Sequence, residues 1–374
     1  MKVIYSFEAL RAELASGHPA PLTSTSSEDF FCTLAWFENL ALHGLAADEA
    51  GTTTPYLLLI HDEVNSNRIC LPLLNGSRLT SLSNYYTSLF GPVILHPGTS
   101  AVFTSMALDA AATHLHQANS RWPVITLSPL DTDSGFYQEF SLALRKAGYW
   151  VDHFFCFGNW YLDVANRSFD QYYGGLPSAL RHSIARGQRR LTKSGEWSIH
   201  IQQSVDWALD AAIADFESVY QQSWKVPEPN TQFIPGLIRM AATQGWLRLG
   251  VLKLEGRAIA AQLWLVKGKK ASIYKLAYVN GFERLSVGSV LTSALMRHAI
   301  DFDQVLEVDY LTGDDAYKQD WMSHRRERWG IVAFRPGTWC GFWAGCRHFS
   351  GKALRKITRQ DLDKQTLDCG SSPQ

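Results

Sequence analysis

The segment Lys270–Trp321 constrains the fold of this chain more than any other part of it. It reads as a strand of aromatic and aliphatic residues, an Asn-Gly turn, a run of small residues that opens a long amphipathic helix, a short strand ending in an acid, and a second, shorter helix. The small residues are Ser286–Ser289. Free N–H groups and the positive end of the dipole at such a helix start attract anions. The segment therefore predicts an anion site between the strand and the helix.

The overall composition limits the classes of protein to consider. The chain has 374 residues, 46% of them hydrophobic, which is enough for two domains of ordinary size. Lys and Arg number 35 and Asp and Glu number 35, and this balance argues against a protein that coats nucleic acid. The six cysteines form no CxxC pair and no His cluster accompanies them, so reduced thiols and no metal site are expected. The chain shows neither a signal peptide nor a run of about 18 apolar residues, and we expect a soluble, cytoplasmic protein.

Four features resemble the acyl-CoA N-acyltransferases of the GNAT superfamily by their order and spacing. Along the chain they are Leu82–Thr87, Ser223–Lys225, the small residues Ser286–Ser289, and the run Asp309, Gly313, Tyr317 and Lys318. The resemblance is narrower to the CelD/BcsL-like branch, which is related to the FemAB-type peptidoglycan aminoacyltransferases. One position departs from the family pattern: the loop Q/R-x-x-G-x-G/A is represented only by Gly288, with Arg284 four residues before it.

Helices and strands recur in a similar order in the two halves. In the first half, the patterns predict helices at 28–45, 101–117 and 136–146 and strands at 56–60, 69–74, near 93–95, 124–127 and 150–162. In the second half, they predict helices at 206–222, 234–243, 288–301 and 314–321 and strands at 246–254, 258–266, 271–279, 305–310 and 328–334.

This repeat predicts an α/β protein (α+β, with mixed sheets) built of tandem GNAT-like modules, each with a mixed central sheet flanked by helices. The modules are expected at 1–165, without a cofactor, and at 166–360, followed by a disordered tail at 361–374. We expect two similar sheets, with the carrier cleft in the second module.

The resemblance implies a binding site for acetyl-CoA or a longer acyl-CoA, used as a co-substrate. The end of the strand would bind the pantetheine arm through its backbone, and the helix start would hold the pyrophosphate. The residues implied are Ala277, Tyr278, Val279, Arg284, Val287, Gly288 and Ser289. Trp224 and Lys225 are expected to line the acceptor groove, the alternative being a core tryptophan at a helix end.

Three residues are the catalytic candidates. Tyr317 would donate a proton to the leaving thiolate, and otherwise it is a packing tyrosine. Lys318 would stabilise the oxyanion or contact the acceptor, and otherwise it lies on the surface; neighbours on a helix point about 100° apart, so both cannot reach one atom. Asp309 would be a general base or, as we favour, the anchor of Lys318 through a charge pair. Glu307 is a second candidate for the base, since it lies on the same side of the strand.

Two basic segments have open interpretations. Pro177–Lys193 contains five Arg or Lys residues and no acid. It is either a solvated helix face or a contact for CoA phosphates or an anionic acceptor, and a tRNA contact is weaker given the zero net charge. Residues 338–359 mix aromatic and basic side chains, which fits a terminal helix that packs on the domain or a peripheral contact with an anionic membrane.

The sequence thus predicts an acyl-CoA-dependent N-acyltransferase. Its acceptor would be a small-molecule, glycan or peptide amine, for example an amino sugar or a precursor of the cell envelope, exopolysaccharide or cellulose. One rival is a FemX-like transferase that uses aminoacyl-tRNA. Another is a non-catalytic accessory protein of polysaccharide synthesis.

Overall fold

The computed structural model describes residues 1–15, 29–45, 53–62, 67–96, 98–117 and 122–352. Within these ranges the strands are β1 Lys2–Ile4, β2 Thr54–His61, β3 Arg68–Asn75, β4 Leu79–Ser81, β5 Val93–Ile94, β6 Val124–Asp131, β7 Trp150–Asp163, β8 Trp197–Gln202, β9 Leu247–Leu254, β10 Arg257–Lys267, β11 Lys270–Tyr278, β12 Glu307–Asp309 and β13 His324–Phe334.

The helices alternate with these strands. They are α1 Phe7–Ala15, α2 Leu34–Asn39, α3 Ala101–Gln117, α4 Gly135–Lys146, α5 Phe169–Gly175, α6 Ser178–Ser194, α7 Leu209–Gln221, α8 Phe233–Thr243, α9 Val287–Arg297, α10 Ala316–Gln319 and α11 at 339–352. Short helical turns adjoin two of these helices. Phe30–Cys32 precedes α2 and Leu40–Gly44 follows it, and Glu283–Leu285 precedes α9 and His298–Phe302 follows it.

Most predicted elements are confirmed, several to within one or two residues at both ends. The helix predicted at 101–117 is α3, and the long strand predicted at 150–162 is β7. The predictions missed α1, α5 and the strands β1, β4 and β8. The tail predicted at 361–374 lies outside the described residues.

All the described strands belong to one mixed sheet. Its order is β1-β2-β3-β4-β6-β13-β7-β12-β11-β10-β9-β8, and β5 pairs with β3. The mixed α/β class with helices flanking the sheet is confirmed. The expectation of two separate sheets was wrong, because the last long strand of each half is hydrogen-bonded into the other half.

The exchange of β7 and β13 joins the two halves. The second-half strand β13 is antiparallel to β6 on one side and to β7 on the other. The first-half strand β7 in turn pairs with β12 of the second half. Both strands are long, with 14 and 11 residues, and β13 pairs with β7 along its full length, from His324 to Phe334.

The halves also share a hydrophobic core. Phe233 of α8, in the second half, stacks on Tyr86 of the first half with ring centroids 3.8 Å apart, and meets Trp36 of α2 edge to face at 5.7 Å. Tyr274 of β11 donates a hydrogen bond to the Tyr86 carbonyl at 2.9 Å. Burial of such large rings is worth on the order of 2 kcal/mol or more each, and it fixes Leu82–Thr87 against β11.

Candidate active site

The candidate site lies where two parallel strands separate. β11 and β12 pair only over Lys270↔Glu307, Ala271↔Val308 and Ser272↔Asp309. Beyond this point the rest of β11 and the turn after β12 diverge. Two clefts adjoin in the gap between them.

The first cleft has a volume of about 630 Å³ and lies beside the start of α9. Its lining residues are Ala179, Leu180, Ser183, Trp224, Lys225, Gln262, Leu276, Tyr278, Glu283, Ser286, Val287, Gly288, Ser289, Thr292, Tyr310, Asp315, Tyr317, Asp320 and Trp321. The first turn of α9 contributes Val287, Gly288 and Ser289, so its free N–H groups and the positive end of its dipole lie beside this space.

Helix α6 packs closely against the loop before α9. A Cβ atom on Gly187 would lie 2.6 Å from the Leu285 carbonyl oxygen, so only glycine permits this approach. Ser183 and Ser286 are joined by a hydrogen bond of 3.1 Å between their hydroxyls, and Ser286 has a left-handed φ of 52°. This contact brings the basic helix predicted at Pro177–Lys193 to the edge of the first cleft.

The second cleft has a volume of about 300 Å³ and includes residues from both halves of the chain. Its lining residues are Tyr85, Tyr86, Ser88, Lys225, Ile273, Tyr274, Lys275, Leu276, Tyr310, Leu311, Thr312, Asp315, Tyr317 and Lys318. Five residues line both clefts and mark their junction: Lys225, Leu276, Tyr310, Asp315 and Tyr317.

Tyr317 has a hydroxyl that keeps its proton at neutral pH. Its ring meets that of Tyr310 edge to face with centroids 5.7 Å apart. Burial, helped by the negative charge of Asp315, raises the pKa of Tyr317 to about 12. A phenol of this kind can donate a hydrogen bond to an anion without giving up its proton.

Asp309 does not line either cleft, and it is 1% exposed. Its carboxylate lies 2.9 Å from Lys270 Nζ and 2.6 Å from Arg326 Nη2, and it accepts hydrogen bonds from the Asn159 side chain (2.6 Å) and the Leu311 N–H (2.7 Å). Burial acts to raise the pKa of Asp309, but the charges of Lys270 and Arg326 outweigh it and hold the pKa well below its usual range. Asp309 is therefore a poor proton acceptor.

The predicted charge pair between Asp309 and Lys318 was wrong. The carboxylate partner of Lys318 is Asp315, at 3.2 Å, which lies three residues before it at the start of the same short helix. Lys318 Nζ also donates to the carbonyls of Thr312 (2.5 Å) and Gly313 (3.4 Å). An ammonium group has three donors, and all three have acceptors here, so the geometry favours a positioning role for Lys318 over contact with an oxyanion.

Asp309 and Lys318 are linked through the turn that separates them. Leu311 has a left-handed φ of 56°, which is unfavourable for a leucine. Asp309 binds the N–H of Leu311, and Asn159 binds its carbonyl at 2.8 Å. These bonds hold the turn whose next two carbonyls bind Lys318, and thereby fix the helix that carries Tyr317. Glu307, the second candidate for the base, accepts from Arg326 Nη2 at 2.6 Å.

Most of the predicted residues come together, and some do not. Tyr278, Val287, Gly288, Ser289, Trp224 and Lys225 line the first cleft, and Trp224 lies against Tyr278 with ring centroids 4.3 Å apart. The predicted residues Ala277, Val279 and Arg284 do not line this cleft. Ala277 and Val279 are buried in the core, and the Arg284 carbonyl accepts a hydrogen bond from Arg190.

The residues that sequence reasoning missed are Asp315, Tyr310 and the partners of Asp309. Asp315 carried a local signal, since its spacing of three residues from Lys318 at a helix start favours a charge pair. Lys270 and Arg326, the charged partners of Asp309, reach it through the order of the strands in the sheet, and no local sequence pattern indicates this.

Comparisons with known proteins agree with this architecture. Residues 178–319 match the family model of the acetyltransferase (GNAT) domain. FemX is similar over 90% of this chain and 97% of its own, with 12% identity and a TM-score of 0.59. The C-terminal domain (DUF2156) of a putative lysylphosphatidylglycerol synthetase from Agrobacterium fabrum covers 74% of this chain and 83% of its own, with 13% identity and a TM-score of 0.52. A sequence comparison with curated proteins gives no match.

At these identities the likeness to solved structures concerns the fold alone. The protein has a GNAT-type acyltransferase fold, and the part that matches the GNAT domain contains α6, the start of α9 and the second-half residues at the junction of the clefts. Among the helices that the structure describes, none is long and apolar enough to cross a membrane.

Proposed function

We propose that this protein is an N-acyltransferase that moves an acyl group from acyl-CoA to an amine. The observation that supports it best is the junction of the two clefts, where the separation of β11 and β12 leaves five residues facing both spaces. Acyl-CoA would lie in the first cleft with its pyrophosphate at the start of α9. The amine would reach the thioester from the second cleft.

The reaction needs one nucleophile, one leaving group and two proton movements. The amine nitrogen attacks the thioester carbonyl carbon, the carbonyl oxygen takes up negative charge, and the C–S bond then breaks. The amine loses one proton and the thiolate gains one. In our proposal Asp315, whose side chain is 60% exposed at the junction, accepts the proton from the amine, directly or through water. Tyr317 donates a hydrogen bond that stabilises the departing thiolate, which then takes its proton from water. Lys318 and Asp309 position the helix that carries Tyr317.

A charge change at the start of α9 tests the donor site. Gly288→Glu is expected to weaken acetyl-CoA binding at least about 100-fold, since like charges placed together cost several kcal/mol. The fold should tolerate the change, because a Cβ there would be 3.4 Å from the Tyr278 ring and an acid is favourable in the first turn of a helix. The measurement is calorimetry with free CoA, acetyl-CoA and long-chain acyl-CoA, together with the melting temperature.

Gly288→Ala is the matched control, since it adds a Cβ without charge and should weaken binding far less. Unchanged acetyl-CoA affinity in Gly288→Glu would remove the pyrophosphate from this position.

The basic face of α6 supports a second candidate donor. The exposed side chains His182, Arg186, Arg189 and Lys193 follow one face of this helix, whose opposite face packs toward α9. If the donor is an aminoacyl-tRNA, as the FemX-like alternative implies, the protein should bind RNA with an affinity that falls steeply with salt and should not bind acyl-CoA. The same calorimetry, repeated with tRNA at two salt concentrations, distinguishes the two donors.

The CelD/BcsL-like resemblance implies the kind of acceptor. We propose an amino sugar or another amine precursor of the cell envelope, exopolysaccharide or cellulose, acylated in the cytoplasm. A panel of such amines, incubated with acetyl-CoA while thiol release is followed, tests this choice; release with unrelated amines alone would contradict it.

Helix α11 supports a peripheral contact with anionic membranes. It packs on the sheet through Phe342, whose ring lies 5.6 Å from that of Trp150, but leaves Trp339 76% and Trp343 54% exposed. Co-sedimentation with neutral and anionic phosphatidylcholine/phosphatidylglycerol vesicles tests this contact. Binding to neither kind would contradict it, whereas binding to anionic vesicles without any acyl-CoA affinity would favour an accessory protein.

A further inference from the structure

The second cleft has an unusual arrangement of charge. Three ammonium groups line it, those of Lys225, Lys275 and Lys318. Two of them have a carboxylate partner: Lys275 lies 2.7 Å from Glu228, and Lys318 lies 3.2 Å from Asp315. These pairs cancel their charges within the cleft.

Lys225 is the cation without a carboxylate partner. Among the described residues no carboxylate forms an ion pair with its Nζ, which lies 5.4 Å from the centre of the Trp224 ring. Burial lowers the pKa of Lys225, and the positive charges of Lys275 and Lys318 lower it further, while the carboxylates of Asp315 and Glu228 offset part of this lowering. The three lysines thus carry one positive charge that Glu228 and Asp315 do not neutralise. Partial burial of Lys225 makes this charge unfavourable.

We propose that the second cleft binds an amine acceptor that also carries a phosphate or carboxylate group, and that Lys225 and Lys275 bind this group. The assignment rests on the proposed function, in which the second cleft receives the amine. An anionic group would supply the missing counter-charge for Lys225. Lys275 Nζ and the Tyr85 hydroxyl, 3.2 Å apart, also line the cleft and offer further donors.

Size and chemistry agree with a small acceptor of this kind. A volume of 300 Å³ corresponds to about ten water molecules, which leaves room for a compact amine and one anionic group. The lysines also help the reaction, since positive charges nearby favour the uncharged form of a bound amine, and only that form is nucleophilic.

Binding measured without an acyl donor tests the anion site. The probes are ethanolamine, O-phosphoethanolamine and β-alanine, which share an amine and differ in the anionic group. We expect the full-length protein to bind at least one of the two anionic amines about tenfold or more tighter than ethanolamine in calorimetry, the usual range for a charged hydrogen bond. Lys225→Met should abolish the preference, and Lys225→Arg should keep it.

Lys146→Met is the matched control, since this exposed lysine pairs with Asp109 on the first half and should leave the preference unchanged. Equal binding of the three amines, no binding of any, or an unchanged preference in Lys225→Met would overturn the proposal.

Thiol release from acetyl-CoA with the same amines separates this proposal from the proposed function. A preference that disappears in Lys225→Met, without thiol release from any amine, would leave the anion site standing and remove the acyl-CoA reaction. Thiol release that is equally fast with ethanolamine and with the anionic amines would support the acyl-CoA reaction and remove the anion site.

Discussion

Replacing Asp309 by asparagine is expected to lower the free energy of unfolding by about 3 to 5 kcal/mol, the usual cost of breaking a buried ion pair. The carboxylate is 1% exposed and has charged partners in Lys270 and Arg326. The loss should fall near the lower end, because Asp29 lies 2.7 Å from Lys270 and Glu307 2.6 Å from Arg326, and both remain. Urea unfolding of the wild-type and variant proteins measures it.

The same variant has a defined pH dependence. The pKa of Asp309 is depressed in the folded state, so its contribution to stability is complete above the pKa of an unfolded aspartate, about 4, and is lost as the pH falls below that value. The difference in unfolding free energy between wild type and Asp309→Asn should be constant near neutral pH and shrink below pH about 4.

Asp210→Asn is the matched control for Asp309→Asn. Its carboxylate is 81% exposed in a surface pair with Arg239, and removing it should cost less than about 1 kcal/mol. If Asp309→Asn were as stable as this control but inactive, a direct role of Asp309 in catalysis would replace the positioning role.

Tyr317→Phe is expected to lower the turnover number by about 10²–10³, the usual effect of losing one hydrogen bond to charge that develops in the transition state. Affinity for acetyl-CoA and the melting temperature should change little, because the ring stays and the residue is 46% exposed. The measurement is thiol release under saturating acetyl-CoA, with an amine that the protein accepts.

Tyr5→Phe removes the hydroxyl of another exposed tyrosine, 53% exposed beside β1, and should leave turnover unchanged. Lys318→Met is expected to lower both stability and turnover, since three acceptors lose their donor. Full turnover in both Tyr317→Phe and Lys318→Met would mean that this helix only packs, and the chemistry would have to be assigned elsewhere.

Local patterns were sufficient to predict the elements around the site. The aromatic and β-branched run of β11, the small residues before α9 and the glycine turn before α10 each carry their own signal in sequence. The first cleft forms where these signals lie. Six of the nine residues predicted to bind the donor or the acceptor line it, among them Gly288 and Trp224. Short edge strands such as β1 and β8 have few residues in which a pattern can appear, and they were missed.

The electrostatics of the site depended on contacts that no local pattern contains. Lys270 reaches Asp309 because β11 is parallel to β12, and Arg326 reaches it because β13 lies next to β7. The sequence showed an acid at the end of a strand but not which cations would surround it. The predicted partner, Lys318, is the lysine nearest to Asp309 along the chain, whereas its actual partners, Lys270 and Arg326, belong to other strands.

The exchange of β7 and β13 has a consequence for the order in which the chain can fold as it is synthesised. Both sheet neighbours of β7 are second-half strands, β12 and β13. One of the two sheet neighbours of β6 is also β13. When the ribosome has completed the first half, a strand of 14 residues with aromatic side chains has no partner on either side. Apart from the three residues that β12 pairs, it stays unpaired until β13, residues 324–334, has emerged. Through that interval the nascent protein presents an open edge, the feature that makes strands aggregate and that chaperones protect.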